Sequence, residues 1–227
     1  MENLEVVIKS NTGTDDVKLT KETVKEYLVR GDKSLITDQE VYLFMELCKH
    51  QNLNPFISDA YLVKYSQRET ASMVVGISVF TKRAYDNQDC NGWKSGIVAF
   101  NKETKELTER IGTVYTPEEI LVGGWCEVFF KSKEYPIKQT VLLKEYIQTK
   151  ADGTPNKFWK SKPGTMIQKV AEMQALRKAF PKDLQGLYAA EELGLVDDVE
   201  HIKKIMDFDE ACETGPETPK PSATPNF

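Results

Sequence analysis

Between Lys157 and Phe180 the chain reads KFWKSKPGTMIQKVAEMQALRKAF, and here residue types and spacing could act on a ligand. Lys157, Lys160 and Lys162 flank the aromatic pair Phe158-Trp159, just ahead of a predicted helix start at Pro163. A helix N-terminus presents unbonded N–H groups and the positive end of its dipole, which suits a phosphate. Cations interleaved with rings are what a single-stranded nucleic acid needs: charge follows the backbone, and a ring face stacks on any base. On a helical wheel Met166, Val170, Met173, Leu176 and Phe180 share a broad face, with Lys169 at its edge and Arg177 near its middle. A guanidinium set among apolar side chains is costly unless an anion meets it. That anion is either a ligand phosphate or a carboxylate of the chain itself. Taken alone, Trp159 reads more readily as a core anchor than as a stacking platform, and the three lysines read equally as a solvated loop.

Charge distribution bears on this choice. The 227 residues carry a net charge of −5, which taken alone disfavours nucleic acid. Residues 131–182, however, hold twelve basic and four acidic groups, whereas residues 183–227 hold three basic and eleven acidic. A basic block followed by an acidic tail suggests a polyanion site beside a self-shielding or partner-binding segment. Screening over about 8–10 Å makes the local charge matter more than the sum.

The elements that must position these residues follow from patterning. The first 18 residues are expected to be flexible. Residues 19–29 predict a short amphipathic helix, and Thr37 with Glu40 forms a capping box ahead of a stripe through Val41, Phe44, Met45 and Cys48. Residues 59–65 and 71–77 predict a hairpin, 78–87 a helix, and 91–100 a strand. Residues 102–113 predict a protruding hairpin or strand, and 123–131 with 135–143 a further antiparallel pair. A loop over 149–161 leads to a helix from Pro163 that stops before Pro181. The expected class is α+β, with a small antiparallel sheet packed with helices. The core is expected over 19–182, an acidic helical segment over 183–211, and a disordered tail over 212–227.

The pattern Trp159, Pro163, Met166, Lys169, Arg177 and Phe180 resembles the signature helix of the RecT/Bet (Redβ-like) phage recombination proteins. NLNPFISDAYLV (52–63), GISVFTKRA (76–84) and GGWCEVFFKSKEYPI (123–137) resemble that family's blocks in the same order. The resemblance implies ATP-independent annealing of complementary DNA single strands on a ring or helical homo-oligomer, with a β-β-β-α core and the strands in a basic groove. Carried over to matching positions, Arg177 and Lys169 would hold phosphates, and Arg83, with Lys82 beside it, would line the groove. Tyr61, Lys64, Lys131 and Lys133 are placed there by strand proximity. Gly164 and Val170 stand where some relatives carry a basic residue, so backbone contacts would be fewer, or supplied by Lys160 and Lys162 instead. In the family, C-terminal segments contact a partner 5′–3′ exonuclease or the host single-strand-binding protein; residues 183–210 would do this or, the reading slightly preferred, cap the fold.

Other functions fit less well. No GxxxxGK[ST] motif is present for ATP, so no nucleotide cofactor is expected, with Mg2+ as an optional aid to DNA binding. A metal-dependent phage nuclease needs clustered carboxylates, and Asp59 and Glu127 lack the usual spacing to a lysine. Cys48, Cys90, Cys126 and Cys212 form no CxxC pair, and with only His50 and His201 they predict reduced thiols rather than zinc. A purely structural oligomerising protein remains the third reading. No apolar run is long enough for a membrane span and no secretory signal is seen, so a cytoplasmic protein of a bacterial host, without bond chemistry of its own, is expected.

Overall fold

The computed structural model describes residues 5–9, 16–150 and 152–193. The part of the expected acidic helical segment beyond residue 193 and the tail from 212 lie outside the described residues. Strands β1 (Glu5–Ile8) and β2 (Val17–Thr20) form an antiparallel ribbon. Alternation turns Val6, Ile8 and Leu19 into the core, so part of the segment expected to be flexible is a packed strand. Helix α1 (Lys21–Tyr27) follows, with the Thr20 hydroxyl accepting from the Thr23 N–H. Strand β3 (Val29–Gly31) leads through a 3-10 turn to α2 (Asp38–Gln51), which starts with the expected Thr37–Glu40 capping box.

A three-stranded sheet runs β3–β4–β5, with β4 at Ala60–Lys64 and β5 at Ser72–Val75. The β4–β5 hairpin is antiparallel as expected, but β3 joins β4 in parallel, so this sheet is mixed. Helix α3 (Ile77–Asp86) then crosses to the larger sheet. That sheet comprises β6 (Cys90–Asn101), β7 (Leu107–Ile111), β8 (Glu119–Phe130) and β9 (Ile137–Leu142), antiparallel in the order β7–β6–β8–β9. The fold is α+β; the expected three-strand-then-helix core carries a fourth strand, β9, before its helix arrives. Helix α4 (Leu143–Tyr146) closes β9.

The segment expected to be a loop before Pro163 contains α5 (Lys157–Ser161), because the Asn156 side chain accepts from the Phe158 and Trp159 N–H groups and nucleates a turn. The main helix α6 (Pro163–Ala179), α7 (Pro181–Leu184) and α8 (Ala190–Leu193) complete the chain order. Helix α6 lies on the large sheet with Ile167, Val170, Met173 and Leu176 fully buried, each worth roughly 1.5–3 kcal/mol of apolar burial. The approach is close. A Cβ on Gly124 of β8 would sit 2.5 Å from the Ile167 carbonyl oxygen, so only glycine allows this contact. Polar pins fix the register: Glu172 accepts from Trp93 Nε1 at 3.0 Å and from the Ser95 hydroxyl at 3.1 Å. Cys48, Cys90 and Cys126 are free, and burial pushes the Cys48 and Cys126 thiols up to about 12. Among the described residues no helix is long and apolar enough to cross a membrane.

Candidate nucleic-acid interface

Four of the expected cations gather at the C-terminal end of α3. Lys82 and Arg83 line a cleft of about 650 Å3 between α3, the turn that follows α2, and α7. Arg83 is a brace there: Nη1 donates to the Gln51 side-chain oxygen at 3.2 Å and to the Asp183 carbonyl at 2.5 Å, and Nη2 donates to the Gln51 carbonyl. Burial pulls the Arg83 guanidinium down, opposed by the nearby Asp183 and Asp59 carboxylates. Lys82 is exposed and makes no side-chain hydrogen bond or ion pair among the described residues.

The turn after β8 adjoins this cleft. Lys131 Nζ donates to the carbonyl of Gln88, a cleft-lining residue, at 2.9 Å. The neighbouring Ser132 is tied to Asp89, whose carboxyl its hydroxyl and N–H hold below the usual range. Lys133 Nζ lies 4.0 Å from the Phe130 ring centroid, and that ring meets Phe180 at 5.6 Å. Phe180 opens α7, so the aromatic pair ties Lys133 to the helix that bears Lys182. Lys182, exposed on the cleft's lining, was not singled out from sequence, although it closes the basic block. Of the three carboxylates on the lining among the described residues, Asp59 accepts from the Asn54 N–H and Asp183 from the Asn87 side chain, while Asp86 is exposed.

The α6 cations are not part of that cleft's lining. Lys169 Nζ lies 3.2 Å from Glu191. Arg177 Nη1 donates to Glu192 at 2.9 Å and to the Leu187 carbonyl at 3.0 Å, while Nη2 takes the second carboxylate oxygen. The Tyr188 ring lies 4.6 Å from the guanidinium. Burial alone would lower the Arg177 pKa, but the Glu192 carboxylate outweighs it and holds it above the usual value. Arg177 also lines a shallow concavity with Gln139, Gln174, Lys178 and Pro181, one residue from Lys182.

At the far end of α6, about 25 Å away by helix rise, Lys157, Lys160 and Lys162 are exposed and unpaired among the described residues. Helix α6 begins without a side-chain cap, but Gly164 is buried, with the Thr113 carbonyl 3.3 Å from where its Cβ would stand. The expected sites therefore form two groups joined by a helix rather than one cluster around Trp159.

Three expectations need correction. Trp159 is 1% exposed, packed in the core with its Nε1 unpartnered among the described residues, so its ring is not offered to a base. Lys64 is buried and ion-paired at 2.7 Å to Glu40 of the α2 capping box, not free for a groove. Tyr61 is covered by Arg30, whose guanidinium carbon lies 3.4 Å from the ring centroid. Each was placed by strand proximity or composition, and neither reveals a contact made across many residues.

The carboxylates of the nuclease reading stand apart. Asp59 sits ahead of β4, whereas Glu127 lies on β8 in register with Lys94 and Lys138. Among the described residues no group of three His, Cys, Asp or Glu side chains is arranged to hold a metal ion.

A model described as the RecT family matches residues 14–207 of this sequence. An uncharacterized protein of Ureaplasma parvum serovar 3 is 28% identical over 145 residues, covering 62% of this chain and 56% of that protein. The chain thus spans little more than half the length of that relative.

Proposed function

The chain belongs to the RecT family, and on that premise we propose that it binds single-stranded DNA and anneals complementary strands in homologous recombination, without ATP and without breaking bonds. The observation that carries this reading is the gathering of Lys82, Arg83, Lys131, Lys133 and Lys182 around one open cleft in a chain whose net charge is negative. Phosphate contacts dominate sequence-independent binding, so a local basic surface outweighs the overall sign of charge. A strand laid along α6 would pass Lys162, Lys169 and Arg177 and arrive at Lys182 and the cleft. Lys157 and Lys160 would catch its other end. Annealing needs no group that moves electrons or protons; it needs phosphates held while base edges stay free to pair.

The chain acts as a ring or helical homo-oligomer in the cytoplasm of a bacterial host, holding single strands and then the annealed duplex intermediate. Mg2+ would assist only by screening phosphates. A 5′–3′ exonuclease that generates single strands and the host single-strand-binding protein are its partners in this reading. No second function is favoured by a specific observation.

The test is strand pairing between two labelled complementary oligonucleotides, followed by energy transfer. The protein alone, with no nucleotide added, should accelerate pairing and leave both strands intact. A strict need for ATP, or cleavage of either strand in Mg2+, would overturn the reading.

A further inference from the structure

The two α6 cations best placed for phosphates are already occupied by consecutive glutamates. Lys169 meets Glu191 and Arg177 meets Glu192, both on the four-residue helix α8. The cations are eight residues apart, about 12 Å along α6, so α8 spans two sites that a DNA backbone would otherwise bridge. The Arg177–Glu192 contact is a two-pronged fork, which is how a guanidinium also takes a phosphate. The Glu192 side chain is 4% exposed and Arg177 20%, so the pair is substantially desolvated but opens at the arginine, which lines the shallow concavity beside Lys178.

The segment leading into α8 is anchored by Leu187 and Ala189, both buried in the main core. Gln148 Nε2 donates to the carbonyls of Ala190 and Glu191 at 3.2 and 3.3 Å, and the Val75 N–H donates to Tyr188. Ala190 packs beside Val63 and Val74. This is a small docking site for a segment whose following sequence is strongly acidic.

We propose that Glu191 and Glu192 are built-in stand-ins for DNA phosphates: they clasp Lys169 and Arg177 when no strand is bound, and a single strand must displace them to use those cations. This rests on the reading that the α6 cations take phosphates. Two consequences follow. Affinity is held below what the cations would give alone, which favours a strand long enough to engage the cleft and α6 together. Salt dependence is also blunted, because the carboxylates set free take up counterions that offset those released from the DNA.

The experiment compares binding of a fluorescent single-stranded oligonucleotide over a range of salt. It uses the full chain, a Glu191→Gln/Glu192→Gln variant, and a Glu103→Gln/Glu118→Gln control that removes equal charge from exposed positions near the β6–β7 turn and before β8. The clasp variant should bind about tenfold tighter than the control at low salt. Its log–log salt slope should be steeper by about 1, out of the roughly 1.4 that two phosphate contacts supply. Binding no tighter than the control, or a slope no steeper, overturns the inference even if the wild type binds DNA. If no variant and no wild type binds single strands, the inference falls together with the function it rests on. Thermal melting checks the fold. Should the double variant not fold, Glu191→Gln alone decides by the same criteria, with about half the slope change, since Lys169 is 36% exposed and its pair is the less critical for packing.

Discussion

Arg177 and Glu192 meet across the α6–α8 contact as a desolvated fork, Nη1 lying 2.9 Å from one carboxylate oxygen while Nη2 takes the other. Removing Arg177 alone would strand the Glu192 carboxylate, which is only 4% exposed; that costs about 3 kcal/mol in buried pairs and confuses stability with binding. An Arg177→Gln/Glu192→Gln variant removes both charges in similar shape and should stay folded. Its affinity for single-stranded oligonucleotide should fall about tenfold, measured by fluorescence anisotropy. Unchanged affinity would mark Arg177 as a brace for α8 and nothing more.

Trp159 gives a clean separation of core from ligand. Fully buried in the α5–α6 region, it should lose stability when changed to Phe, by roughly 1–3 kcal/mol for a smaller ring in a close-packed site. Binding per folded molecule should not change. A drop in DNA affinity with an unaltered melting temperature would instead mean that the ring meets bases.

Glu40 predicts a pH effect. Burial would raise its carboxyl pKa, but the Lys64 ammonium and the N–H groups of Thr37 and Ala71 outweigh it and bring it to about 2. A carboxylate lowered in the folded state stabilises fully above the unfolded value near 4.5, and that contribution is lost as pH falls towards 2. It is of the order of 2 kcal/mol after solvent screening of a partly exposed pair. Melting temperatures from pH 6 to pH 2.5 should fall more steeply for wild type than for Glu40→Gln, whose melting temperature should be lower at pH 6.

Local chemistry was legible in the sequence where a signal and its consequence lie within one turn. Thr37 and Glu40 cap α2 as read, and Pro163 opens α6, which ends at Ala179 ahead of Pro181. Contacts that close over long separations were not legible. Lys64 looks like any strand lysine until Glu40, 24 residues earlier, is folded beside it. The parallel pairing of β3 with β4 leaves no mark on a three-residue strand. Arg177 was readable as needing an anion but not which one. The acidic run after α7 was the only hint that Glu191 and Glu192 would reach back to α6. Lys182 was hidden because its meaning comes from the cleft, where it joins Lys82 and Arg83.

If the cations around this cleft bind a DNA backbone, a Lys82→Glu/Lys182→Glu variant should lose that contact. Both side chains are exposed, so the melting temperature should barely move. Affinity for a single-stranded oligonucleotide should fall by at least tenfold, and the log–log salt slope should become shallower by about 1.4, the share of two lost phosphate contacts. Wild-type affinity with a wild-type slope would mean that no DNA backbone lies against this cleft.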